Sequence, residues 1–523
     1  MGALAQSERF YAAPGLPYYL EHFCRVLDGA ERQYPLGQHG IDFVVRFRAL
    51  PRSAQCLYAR LVNRKGPYFR VSKLAYPECG ALEDAIASLV QAGLAQHVSM
   101  QAEHEAGIAR CYRAEERRAY SLEWLVQHEP LIAVTRDAWQ LITFLYFGEL
   151  VPNLSDFVIH EIGHVKTEAR YNSLRPAFAN MDEAQICYRV ALLYEEFRAK
   201  RDAYSPLDLW HWWQEVQPRD TLLPARARAR IDRLLMRLGR ALEREGFDAQ
   251  ALQAYHACQT LPCRERAAKL HAKHGDMAHA TALCEDMIRA PLSDEEHYRG
   301  TYLLARLRRQ NPLSAPRARL RRNPCTIIKR VGDTVEQAAL DQWQEMGWDG
   351  VHTENWIWSG LFGLLMWDVV FDGSSGAFHQ PLQTAPSDLW SAAFYTNRHT
   401  LIGERLNAIG ANAIETVRVT YETKRGITNP FLSWDHPYLP HAERLLAHLT
   451  PVQLRAVIER IVRDPGTYLR GFPDLYLWRD DAFRFVEVKS PNDRLSFEQW
   501  RWIEWFEQNG IPVEVMRVKY AAV

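Results

Sequence analysis

Three side chains in the stretch GFPDLYLWRDDAFRFVEVKSPNDR, residues 471–494, have the types and spacing for hydrolytic chemistry: Asp474, Glu487 and Lys489. The stretch reads as a hairpin, two short aromatic-rich strands around the polar turn Arg479-Asp480-Asp481-Ala482. With Asp480-Asp481 at the tip, Trp478 faces Phe483, Tyr476 faces Phe485, and Asp474 falls directly opposite Glu487. Opposed side chains have Cβ atoms roughly 4.5–5.5 Å apart, a separation at which like charges destabilise a sheet. A divalent cation between the two acids removes that repulsion, because hard oxygen donors suit Mg²⁺ or Mn²⁺. Alternation puts Phe483, Phe485, Glu487 and Lys489 on one face, so the ammonium points the same way as the acids. Val488 turns its side chain to the other face and offers its backbone carbonyl as a further ligand. Carboxylates that hold a cation let it polarise a phosphodiester and lower the pKa of a bound water. The lysine then supplies fixed positive charge where a pentacovalent phosphate gains negative charge. The bland alternative is a surface hairpin with an incidental charged edge.

A second constellation competes. VIHEIGHVK contains His160, Glu161 and His164 in the H-E-x-x-H pattern of zinc peptidases, and Glu183 follows with eighteen residues between, as for a third ligand. Against it, Gly163 weakens the required helix by roughly 1 kcal/mol. Lys166 and Arg170 add positive charge close to the would-be dication. Two partly buried histidines at a helix end are the plainer reading.

The elements around the hairpin agree with a nuclease-like core. Ser496-Phe497-Glu498-Gln499 is a capping box opening a helix that runs through Trp500, Trp502, Ile503 and Phe506 to a stop at Gly510. Gln499, one turn into that helix, is placed to support the site, and IPVEVMRVKY returns as a strand. The apolar window WIWSGLFGLLMWDVVF, residues 356–371, is interrupted by Asp368 and two glycines. It falls short of the ~20 residues a membrane span needs, so it reads as a buried helix.

At 523 residues the chain exceeds one core, and length alone suggests about three or four domains. Composition is that of an ordinary globular protein, 47% hydrophobic and 24% charged. The formal net charge of zero gives no overall field toward polyanions, so any nucleic-acid affinity rests on local patches. The N-terminal MGALAQSERFYAAPG lacks a secretory pattern. Nine cysteines without a C-x-x-C pair read as reduced thiols in a reducing compartment.

Four regions are expected. Residues 1–70 form an N-terminal helical domain. Residues 71–175 form a DNA-binding region with winged-helix-like logic, in which helix and hairpin meet DNA. Residues 176–315 form tetratricopeptide-like helical repeats, with a turn at Gly275-Asp276. Residues 316–523 form the last domain, entered through a linker with three prolines and the basic residues Arg317, Arg319, Arg321 and Arg322. Arg60, Arg64, Lys65, Arg70 and Lys73 cluster near the N-terminal strand and, with Arg494 beside the hairpin, are candidates to hold duplex backbone. A solvated helix end is the alternative for the charge cluster.

The proline-Asp … Glu-x-Lys grouping is shared by a large class of metal-dependent nucleases. GFPDLYLW, FVEVKSPNDRLSFEQ and GWDGVHTENWIWSGLFGLLMWDVVF resemble the Fanconi-associated nuclease family, whose C-terminal domain is a VRR-type nuclease of the PD-(D/E)xK class. LPYYLEHF and LYARLVNRKGPYFRVSKLAY resemble that family's DNA-binding region, and NLSDFVIHEIG resembles a family segment that ordinarily lacks the histidine pair. The resemblance implies a mostly α, multidomain chain with a SAP-like DNA-binding module within residues 71–175, helical repeats after it, and a C-terminal α/β nuclease domain. It implies metal-binding acids at Glu354, Asp474 and Glu487 and a catalytic lysine at Lys489. The implied activity is structure-specific: cutting 5′ flaps and degrading DNA 5′ to 3′ in interstrand crosslink repair, with Mg²⁺ or Mn²⁺ and branched DNA as partner. No Cys/His array of a ubiquitin-binding zinc finger is found, so ubiquitinated partners are not carried over and a cytoplasmic, bacterial-type protein is expected. Two alternatives stay open: the zinc peptidase, and a non-catalytic scaffold for branched DNA.

Overall fold

The alternation in residues 475–489 builds the expected hairpin in a computed structural model. It describes residues 17–100, 105–151, 154, 166–168, 174–219, 222–310, 315–323, 325–328, 334–410, 412–435, 437–490 and 492–520. His160, Glu161, His164 and Arg170 lie outside the described residues. The chain divides into two compact units: residues 1–165, 175–202 and 216–230 make one, and 166–174, 203–215 and 231–523 the other.

In the first unit, helices Tyr18–Gln33, Gln38–Ala49 and Arg52–Val62 bury Phe23, Phe47 and Tyr58. Phe23 stacks on Trp139 at 3.7 Å between ring centroids. Strands β1 (Tyr68–Arg70), β2 (Ala95–His97) and β3 (Leu131–Val134) form an antiparallel sheet in the order β1-β3-β2. Helix Leu82–Gln91 lies between β1 and β2 in sequence. The basic stretch after the third helix therefore leads into a helix-and-sheet module.

In the second unit, helices Asp248–Ala257, Cys263–Lys273, Met277–Arg289 and Asp294–Leu307 pack each on the next. Gly275 turns the chain between two of them at φ +80°, a left-handed conformation glycine adopts without penalty. Cys258 and Cys263 are joined as a disulfide, which departs from the expectation of nine reduced thiols. Five residues apart in sequence, their Cα atoms come within 6.2 Å, inside bridging range. The stretch read as a basic linker also departs: Ala315–Arg322 is a helix whose Arg319 pairs with Glu507. Pro316 is tolerated because it stands in the first helical turn, whose N–H groups have no intrahelical partner.

The second sheet has five strands: β4 (Cys325–Ile328), β5 (Asp349–His352), β6 (Leu475–Arg479), β7 (Ala482–Lys489) and β8 (Val513–Tyr520). Their order is β4-β8-β7-β6-β5. β8 is parallel to both neighbours, whereas β5-β6-β7 is antiparallel. Period-two alternation separates two cores. Leu475, Leu477, Val486 and Val488 pack with Ala338, Ala339 and Leu340 of helix Val335–Glu345. Tyr476 and Phe485 point the other way, onto Trp502 and Phe506 of helix Phe497–Gln508 and onto Trp358. The 356–371 window is buried as expected, as helices Trp356–Leu365 and Trp367–Val370. Among the described residues no helix is long and apolar enough to cross a membrane.

Candidate active site

The register is the one the sequence implies: Trp478 pairs with Phe483 and Tyr476 with Phe485, with Asp480 at the tip in a left-handed conformation, φ +52°. The ladder stops at Leu475 opposite Val486, one step short of Asp474 and Glu487. Asp474 therefore leaves the strand just where its side chain meets β7. Its Oδ2 accepts a 2.8 Å hydrogen bond from the Val488 N–H. Val488 thus enters the site through its amide as well as its position between the charged residues.

Glu487 is fully buried, and neither carboxylate oxygen has a hydrogen-bond donor in satisfactory geometry. Lys489 Nζ stands 2.7 Å from Oε1 and is itself nearly buried. An ionised carboxylate so placed needs compensation, since desolvation disfavours its charge. Burial first, then the charge of Asp474, push the Glu487 carboxyl up to about 8, against the pull of Lys489. Burial likewise raises Asp474, opposed by the Val488 amide and by Lys489. Two neighbouring acids held above their ordinary range, both by burial first, fit a hard divalent cation. The donor set is the test, and it is met by Asp474 and Glu487.

Glu354 reaches the site through the backbone. Thr353 and Glu354 N–H groups both donate to the Asp474 carbonyl, at 2.8 and 3.2 Å. Glu354 adopts φ +40°, uncommon for a side chain this long. Asn355 follows as the N-cap of helix Trp356–Leu365, and its Oδ1 accepts from the Phe472 N–H at 3.3 Å. These bonds tie the HTEN turn to the Phe472-Pro473-Asp474 segment, with the Glu354 carboxylate exposed at the turn.

A further acid escaped sequence reasoning. Glu336, in the first turn of helix Val335–Glu345, acts by its charge on both Asp474 and Glu487 and raises both. Its signal in the sequence is faint: one acidic residue after the capping Thr334, which accepts from the Gln337 N–H. Only the packing of that helix on β6 and β7 brings it to the hairpin.

The remaining expectations divide. Gln499 closes the capping box, its Oε1 accepting from the Ser496 N–H at 3.0 Å, so its carbonyl oxygen serves the helix rather than the site. Arg494 is exposed near the hairpin. Lys65 and Lys73 are exposed, and Arg64 is exposed with its guanidinium donating to the Tyr76 hydroxyl at 2.7 Å. Arg60 lies over the Tyr19 ring at 3.9 Å and pairs with Glu78 at 2.8 Å. Arg70 departs from the expectation of a surface contact: it is buried and paired with Glu116 and Glu129. Facing inward from β1, its charge is neutralised inside the fold. Glu183, the supposed third ligand of the peptidase motif, accepts from the Ala179 N–H at 2.8 Å at the start of helix Met181–Arg201.

A parallel-and-antiparallel sheet with Asp474 just before β6 and Glu487 and Lys489 on β7 has the arrangement of a nuclease domain of the PD-(D/E)xK class. A family profile described as VRR-NUC domain matches residues 411–520, and one described as FAN1, HTH domain matches residues 17–96. The Fanconi-associated nuclease 1 homolog of Pseudomonas aeruginosa is 28% identical, over 97% of this chain and 97% of its own length. Fanconi-associated nuclease 1 of Danio rerio is 36% identical, but over 35% of this chain and 20% of its own length. That of Homo sapiens is 34% identical over 38% of this chain, so this chain spans only 20% of it. The crystal structure of paFAN1 bound to 2nt 5′ flap DNA with gap is similar at a TM-score of 0.80 and 26% identity, covering 98% of this chain and 100% of that one. The complex with 1nt 5′ flap DNA gives a TM-score of 0.81 over 97% and 99%. The chain is thus similar, over nearly its whole length, to a bacterial Fanconi-associated nuclease 1 homolog and to the paFAN1 structures.

Proposed function

We propose that the chain is a structure-specific DNA nuclease that cuts 5′ flaps and degrades 5′ to 3′ in interstrand crosslink repair, using Mg²⁺ or Mn²⁺. The observation that carries this reading is the fully buried Glu487 carboxylate, set beside Asp474 with the Lys489 ammonium 2.7 Å away. Asp474, Glu487 and the Val488 carbonyl would hold the cation, with Glu354 completing the set. A bound Mg²⁺ or Mn²⁺ supplies polarisation of the phosphodiester and an activated water. Lys489, held 2.7 Å from Glu487, keeps an ammonium at the place where negative charge grows on phosphorus oxygens. The apolar walls of Tyr476, Phe485 and Trp358 fix the hairpin against movement.

In the first unit, Lys65, Lys73, Arg64 and Arg60 would hold the duplex backbone without reading sequence, which suits selection by shape. A cytoplasmic protein that joins the bacterial nucleoid when acting on DNA is supported by the Pseudomonas relative, similar over 97% of both chains, and a nuclear place would follow only for a eukaryotic source. The zinc-peptidase and scaffold alternatives gain no support from the relatives. Labelled flap, fork, gapped and single-stranded substrates with Mg²⁺, Mn²⁺ or chelator test the proposal. Cleavage of the flap that requires metal and disappears in Asp474→Ala is expected. Unchanged cleavage by that variant would falsify the assignment.

A further inference from the structure

The helical repeats carry a histidine cluster that phosphodiester hydrolysis does not use. His271 stands in the last turn of helix Cys263–Lys273, Gly275 turns the chain, and Asp276 caps helix Met277–Arg289, in whose first turn His279 stands. Asp276 Oδ2 lies 3.0 Å from His271 Nδ1 and 2.8 Å from His279 Nδ1. The two rings are nearly parallel, 21° between planes and 5.1 Å between centroids. Potential ligand atoms of the three residues all lie within 4.8 Å of one another. Asp276 Oδ1 accepts from the His279 N–H at 3.3 Å, which fixes the carboxylate's direction. Behind the cluster, His271 Nε2 is 3.1 Å from His256 Nε2.

We propose that His271 Nδ1, His279 Nδ1 and Asp276 Oδ2 form a binding site for a late first-row dication of the Zn²⁺ type. Two imidazoles and one carboxylate are the ligand types this cation takes, at roughly 2.0–2.2 Å. Tetrahedral bonds of that length separate ligand atoms by about 3.3 Å, close to the N···O separations the chain already holds. Binding requires His271 and His279 as their Nε2–H tautomers and His256 as its Nδ1–H tautomer, with no net proton released from neutral rings. His271 Nε2–H then donates to His256 Nε2, the kind of partner that orients a ligating imidazole. The fourth position opens to solvent, since the His279 side chain is 71% exposed. The chemistry separates this site from the hairpin, where donors are oxygens and hard cations are favoured. Bound there, the cation would pin the end of one helix to the start of the next.

The test uses the full chain, stripped with chelator and dialysed against Zn²⁺ in excess Mg²⁺, with bound zinc measured by elemental analysis. Glu487→Gln protein is run in parallel to remove the hairpin as a zinc acceptor. One equivalent retained by both proteins is expected. Asp276→Asn keeps a residue that caps equally well yet loses the anionic ligand, and His279→Gln changes an exposed side chain; each should lose the zinc. His256→Gln should weaken binding by about 10–100-fold. Co²⁺ in place of Zn²⁺ should give visible absorption bands of a low-coordinate imidazole site, absent in His279→Gln. Less than one equivalent at saturating Zn²⁺, or zinc retained by folded Asp276→Asn and His279→Gln, overturns the proposal. Metal-dependent flap cleavage by His279→Gln should match that of the unmodified chain, so the two readings fail separately.

Discussion

Glu487 is the residue on which the proposed hydrolytic chemistry turns, because its carboxyl is fully buried beside Lys489 and pushed up to about 8. A raised folded-state value means that the metal-free native chain keeps a proton the unfolded chain has already lost. Its contribution to stability is whole below about pH 4.5, the ordinary value, and is lost as pH rises through about 8. Thermal midpoints of chelator-treated protein should therefore fall across that window, and Glu487→Gln should flatten the fall. Added Mn²⁺ should raise the midpoint more at pH 8 than at pH 5, since metal and proton compete for one carboxylate. Lys489→Ala removes the fixed ammonium and should slow cleavage by about 10²–10³-fold, with DNA affinity measured by anisotropy little changed.

Two elements hold these residues in place, and each has a weak point. Helix Trp356–Leu365 lies so close to Tyr438 that a Cβ at Gly360 would stand 2.3 Å from the ring. The Tyr438 hydroxyl donates to the Ile357 carbonyl at 2.8 Å, so the ring has little room to withdraw. Gly360→Ala should lower stability by about 1–3 kcal/mol in denaturant titration, although alanine favours helix in isolation. On the other side of the hairpin, Ser496 and Gln499 satisfy the first turn of helix Phe497–Gln508. Ser496→Ala should remove about 1 kcal/mol, read in the same titration, without changing metal dependence.

For the chain as a whole, net charge is zero, so DNA affinity must come from local groups of exposed cations, and Lys65 and Lys73 are both exposed. Lys65→Ala with Lys73→Ala should weaken binding uniformly across sequences and flatten the slope of log affinity against log salt by about two. Arg70→Ala should act differently: it leaves Glu116 and Glu129 without their buried partner and should lower the melting temperature rather than the salt slope. A common loss of salt dependence in both variants would remove that distinction.

The hairpin was legible in the sequence because its information is local. A two-residue tip and strict alternation fix which side chains oppose one another up to Leu475 and Val486, and so bring Asp474 close enough to act on Glu487 by its charge. The capping box and the buried apolar window were readable for the same reason. Glu336, the inward turn of Arg70, the helix at 315–322 and the Cys258–Cys263 pairing were not. Each depends on which distant or turning segment packs beside it, and neither side-chain type nor periodicity carries that information. The sequence by itself determined the chemistry of the hairpin. Tertiary structure decided which other charges reach it, because desolvation and Coulomb coupling act through space rather than along the chain.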